Sequence, residues 1–214
     1  MLKEVSFQLA KTGFMDQDFE EFDEFDDIPN IEEYPTLRSV VRFNKLLPSV
    51  NWFRSVGLPL GSGTIDTAQA YVETLGFPGT FIAPIESWEE ASFAAANPDW
   101  NSSWWEAEEQ MRVSLTTDAL EIISEEDLTM ALTHVSATAS PTIQHAVENF
   151  AEEQGIEDEE LVRAAIGSAV QTCHQAALVL AAGQEDAHPF ALKYKLFELG
   201  RWPIAITGSS FNIF

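Results

Sequence analysis

Thiols are nearly missing from this chain: one cysteine, Cys173, in 214 residues. That excludes an intramolecular disulfide framework and a multi-cysteine zinc site. Positive charge is also scarce. Lys and Arg number 11, five of them lysine, against 35 Asp and Glu, and the formal net charge is −24. Such a field repels nucleic acid and anionic membrane surfaces, so neither is expected as a partner. Long apolar runs are lacking too. The longest, residues 176–182 (AALVLAA), falls far short of the roughly 20 residues a membrane span needs. The opening residues, MLKEVSF, hold no apolar signal core, and a cytoplasmic location is expected. No Gly-x-Ser-x-Gly elbow, Walker A loop or Gly-x-Gly-x-x-Gly fingerprint occurs, so neither a nucleotide cofactor nor a hydrolase nucleophile is expected.

What is present suffices for a packed core. Hydrophobic residues make up 45% of the chain, and the length suits one domain, or one domain with an arm. The charge is unevenly placed. Residues 1–33 carry net −9, 34–85 net +2, 86–160 net −18 and 161–214 net +1. The middle block therefore predicts a strongly negative surface, and the near-neutral blocks predict most of the core. That surface keeps the protein soluble, attracts a cationic partner, or reflects a salty habitat.

Residues 1–33 are expected to form a short strand, through the alternation of Val5, Phe7 and Leu9, followed by an acidic arm. Within the arm Phe19, Phe22 and Phe25 recur every three residues, which on a helical turn makes one apolar stripe suited to docking. Residues 34–214 are expected to form a single helical domain. Leu37, Val40, Val41 and Leu47 predict a helix ending before Pro48, with a second short helix from Ser49. Ala68, Tyr71, Val72 and Leu75 predict a helix from about Ile65, capped by Thr64 or Asp66. Ser87 and Glu90 make a capping box. Trp104, Ala107, Met111, Leu115, Ala119 and Ile122 make the next stripe, with Glu106, Glu108 and Glu109 off it. Ser124 predicts a further start, and Ser140-Pro141 another, with proline at the first helical position. Residues 158–182, apolar on most sides and rich in Ala, Gly and Ser, predict the central helix of a bundle. His188-Pro189 opens a last helix ending at Gly200. Residues 204–207 and 211–214 then form a hairpin about a Gly-Ser turn. A lone hairpin is marginal in water, so residues 5–9 are expected as its third strand. The predicted fold is thus mainly α, an irregular bundle with a small antiparallel sheet formed by the termini.

Candidate chemistry is sparse. The only Glu-x-x-His, Glu185–His188, falls in a loop, so no bundle metal site is expected. The Asp16-x-Asp18-x-Glu20 run lacks the glycine an EF-hand needs at position six. Cys173 and His174 are adjacent on a helix and diverge by about 100°, which excludes a nucleophile–base pair. Gly61, Ser62, Gly63 and Thr64 precede a helix, where free amides could hold an anion, with Arg38 and Arg42 as candidate partners. Trp88, Trp100, Trp104 and Trp105 cluster, and are expected to wedge between helices. Arg201 is expected to pair with an acid of the middle block.

These features point away from catalysis. The leading expectation is a non-enzymatic protein that works through a protein partner or self-association. The alternatives are a binder or enzyme for an anionic small molecule at residues 61–64, and an acidic decoy or immunity-type inhibitor of a basic partner.

Overall fold

The computed structural model describes residues 34–97, 101–184 and 186–214. The expected strand at Val5, Phe7 and Leu9 and the Phe19, Phe22, Phe25 stripe lie outside them. The fold is mainly α, with a small three-stranded sheet. Its helices are α1 (Pro35–Leu46), α2 (Ser62–Thr74), α3 (Trp88–Ala95), α4 (Ser102–Leu120), α5 (Glu125–Gln154), α6 (Glu159–Ala181) and α7 (Pro189–Glu198). The strands are β1 (Phe81–Pro84), β2 (Pro203–Thr207) and β3 (Ser210–Ile213).

The centre is the antiparallel pair α5–α6. Ser124 accepts the Asp127 N–H at 3.1 Å, and three acids follow in the first turn of α5, where the helix dipole favours negative charge. Gly155, in the left-handed region at φ 67°, ends α5. Asp158 then opens α6 by accepting the Leu161 N–H at 3.0 Å. Ala131, Val135, Ala139, Ile143, Val147 and Ala151 are buried on α5, and Leu161, Ala165, Ala169, Cys173, Ala177 and Ala181 on α6. Both stripes repeat every four residues, the row along which helix ridges interdigitate. α6 is the central helix, contacted by α1, α4, α5 and α7. By length and mean hydropathy (1.2) it also meets the criterion for a membrane span, a composition it shares with core helices.

Pro141 departs from expectation. It does not begin a helix but lies inside the continuous α5. Proline in a helix interior costs about 3 kcal/mol through its missing N–H and its clash with the carbonyl four residues back. Here Pro141 and Ala137 are both exposed, so water reaches the freed carbonyl. The buried stripe runs unbroken from Ala131 to Ala151 against α6, and that packing outweighs the local cost.

The second helix expected from Ser49 is also absent. A 3₁₀ turn (Leu47–Ser49) leads into irregular turns, with Phe53 at φ 58°. A helix would aim Trp52 and Phe53 about 100° apart. The turn instead brings both rings to Phe197, with centroids at 5.8 and 5.7 Å. α2 starts at Ser62 rather than Ile65, with Gly61 at the cap position, so Thr64 lies within the helix. On α4, Trp104, Leu115 and Ala119 are buried as expected, and Met111 is half-buried. α4 stops at Leu120, so Ile122 is exposed and Ile123 buried in its place. Glu108, placed off the stripe by its charge, is buried.

The sheet order is β1-β3-β2. β2 and β3 form the expected antiparallel hairpin, turning at Gly208 (φ 57°). The third strand is β1, parallel to β3, with Phe81 opposite Ser210 and Pro84 opposite Ile213. The sheet is therefore mixed, and its described third strand comes from mid-chain. Both sides of β3 are occupied, so no further strand can pair with it. Among the described residues Arg201 does not pair with an acid. Its Nη1 and Nη2 donate to the Leu58 and Pro59 carbonyls at 2.7 and 2.8 Å, tying the loop before α2 to the strand entry.

Candidate functional site

The residues singled out for an anion site lie on two different helices. Arg38 and Arg42 are exposed on α1, which packs on α5 and α6. Gly61, Ser62 and Gly63 are exposed at the start of α2, which packs on α7 and β1. Thr64 is buried. The Thr64 and Ile65 amides already donate to the Gly61 carbonyl, each at 3.1 Å. Only the amides of Ser62 and Gly63 keep the freedom of a helix start.

Sequence reasoning missed a buried polar cluster between α2, α4 and α7. Lys193 Nζ donates to Glu108 Oε1 at 2.7 Å and Oε2 at 3.0 Å. The Tyr71 hydroxyl donates to Glu108 Oε1 at 2.6 Å and accepts from Trp104 Nε1 at 2.8 Å. The ammonium also lies 5.4 Å from the centre of the Trp104 ring. Burial, followed by the Glu108 charge, pushes the Tyr71 phenol well above its ordinary range. Every polar atom of this set has a partner, and none of the four residues lines a cavity described below. The cluster fixes how three helices meet. Its signal in the sequence was Glu108 sitting four residues from Trp104 on a packed helix.

Two concave surfaces among the described residues each measure about 820 Å³ or more. One is a cleft of about 820 Å³ beside β1, lined by Leu58, Leu60, Ile65, Phe81, Ile82 and Ile85 among others. Phe81 and Ile85 donate their N–H groups toward β3. Alternation turns the Ile82 amide outward and places Pro84, which has none, at the next outward position. This edge is blunted against strand addition.

The other is a groove of about 1250 Å³ along α5 and α6. One wall is a row of α5 residues four apart: Ser136, Ser140, Gln144, Glu148 and Glu152. Val162, Ile166, Val170 and His174 form a matching row on α6, and the first three, half-buried, give an apolar floor. Ile156 closes the end at the α5–α6 turn. That end is acidic, with Glu148, Glu152, Glu157 and Glu159, while Arg163 there faces Glu159 at 3.6 Å. The far end is neutral and polar. His174 sits there, its imidazole held below the ordinary range by burial and by the Arg112 charge.

Gly167 lies mid-helix in this groove. It is exposed, and a β-carbon added to it would meet no atom within 4 Å. Glycine in a helix interior costs about 1 kcal/mol relative to alanine. No contact within the described residues accounts for it. The sequence signal was the width of the apolar face on α6, which carries the row at 162, 166 and 170 beside the buried row at 161, 165 and 169.

Among the described residues no group of three or more His, Cys, Asp or Glu lies together as a metal site would require. Cys173 is buried and its thiol is pushed far up by desolvation. Comparison with protein-family models, with curated proteins and with solved structures gives no match for the chain.

Proposed function

We propose that this protein acts without catalysis, by docking another polypeptide in the groove between α5 and α6. The observation that carries this reading is the groove itself: an apolar floor at Val162, Ile166 and Val170, left half-exposed between polar walls on two helices with side-chain N-caps. An apolar floor rimmed by polar residues is the arrangement of an interaction site, whose centre is apolar and whose rim is polar. The buried Tyr71–Glu108–Lys193 cluster supports the reading from the other side, because its charges are fully matched within the fold and unavailable for proton transfer.

A photo-crosslinking amino acid at Gln171, on the groove wall, tests the proposal in cells. A discrete adduct at Gln171, absent from the same probe at exposed Asn51 and lost on Gly167→Trp, is the expected result. An adduct of twice the chain mass identifies self-association, and any other mass a distinct partner. Equal labelling at both positions, or an adduct indifferent to Gly167→Trp, refutes the groove as the docking face.

A further inference from the structure

The shape and charge of the groove narrow what it can hold. We infer that its occupant is a basic amphipathic α-helix of a second protein, laid along α5 and α6 with its backbone closest at Gly167; this rests on the docking reading above. The α5 wall runs from 136 to 152, about 24 Å at 1.5 Å per residue, which matches a helix of about sixteen residues. Both walls are helices whose lining side chains recur every four residues, so a third helix completes the layer by the same ridge packing that joins α5 to α6. An extended strand finds no edge here to pair with.

Gly167 is the second observation. A side chain there has open space, so the packing of the described residues does not require glycine. Close approach of another backbone is a physical use for a missing β-carbon in mid-helix, and the open space at Gly167 permits it. Charge selects among occupants. Glu148, Glu152 and Glu157 crowd the turn end of the groove, on a chain of net charge −24. A second copy, itself at net charge −24, brings no excess of positive charge to meet them. Nor does the acidic segment 1–33, at net −9. A helix with lysine or arginine on its flanks and small apolar residues on its face meets the floor and the rim together.

The test uses two labelled helical peptides of about sixteen residues with the same leucine–alanine face, one flanked by lysine and one by glutamate, titrated with the full chain. The lysine peptide is expected to bind and the glutamate peptide to bind at least tenfold more weakly. Gly167→Trp, which fills the groove, should weaken the lysine peptide at least tenfold. Glu148→Gln with Glu152→Gln should weaken it several-fold and flatten its salt dependence. Gly167→Ala is the folding control: it should melt no lower than wild type, while its added β-carbon should weaken the lysine peptide, less than Gly167→Trp does, and undiminished binding by this variant overturns the close approach at Gly167.

Equal binding of both peptides, blocked by Gly167→Trp, overturns the basic character. Binding of the lysine peptide that ignores Gly167→Trp reveals diffuse charge attraction and overturns the site. Failure of both peptides while the Gln171 adduct persists overturns the helical occupant and leaves the docking reading standing. Failure of both peptides and of the adduct removes the two together.

Discussion

At the scale of single residues, histidine and a buried ion pair carry the sharpest expectations. His188 caps α7 by accepting the Phe190 N–H on Nδ1 at 3.1 Å, which requires that nitrogen to be unprotonated. Burial lowers its pKa. A depressed folded value means that its contribution is complete above the ordinary histidine range, about 6.5, and is lost as pH falls through the lower folded value. Urea unfolding should therefore show stability falling between pH 7.5 and pH 5. His188→Ala should cost about 1 kcal/mol at pH 7.5, and His188→Asn, which caps without titrating, should cost less and lose less on acidification. The acid loss that persists in the Asn variant belongs to other groups, His174 among them.

Lys193→Met should be far more damaging, by about 3–5 kcal/mol, because it strands the Glu108 carboxylate in the interior. Adding Glu108→Gln should recover much of that loss, since an amide still accepts the Tyr71 hydroxyl and carries no charge. Denaturation midpoints of the single and double variants decide it. A double variant no better than the single would show that the ion pair's charge is not what matters.

At the scale of elements, α5 is held against a local fault. Pro141→Ala restores one backbone hydrogen bond and relieves the ring clash at an exposed position. It should raise stability by about 1–3 kcal/mol, read as a higher melting temperature. A lowered melt would mean that the proline shapes α5 in a way the packing needs. The neighbouring element shows the converse. The hairpin of β2 and β3 is legible from alternation around a Gly-Ser turn, but β1 is not. Its four residues, FIAP, are too few for a period and end in proline. They become a strand because β3, more than a hundred residues later, offers a side to pair with. That partner is invisible to any local window.

At the scale of the molecule, charge dominates. Residues 86–160 carry net −18, and their helices pack into one body. Like charges so held repel one another, and salt screens the repulsion. The melting temperature should rise by several degrees between low salt and about 0.2 M sodium chloride. A melt that falls with salt would show that attractive pairs such as Arg112–Glu109 and Arg163–Glu159 outweigh the repulsion. The same field governs the groove, whose acidic end any partner must match.

The sequence by itself determined the mainly α class, the central helix near 158–182, most helix starts and the C-terminal hairpin. Each rests on local chemistry: caps at Ser87, Ser124, Asp158 and His188, stops at Gly155 and Gly200, and apolar residues at helical spacing. Only the tertiary structure decided which side of each feature prevailed. It ran α5 through Pro141 because α6 lies along it. It buried Glu108 because Lys193 and Tyr71 arrive from other helices to neutralise and bond it. It sent Arg201 to two backbone carbonyls, brought β1 into the sheet as its described third strand, and set Arg38 and Arg42 on a different helix from Ser62–Thr64. The groove along α5 and α6 belongs to this second group. Its floor, its acidic end and the bare helix at Gly167 come from two helices laid side by side, and a shared surface is not a property of either one alone.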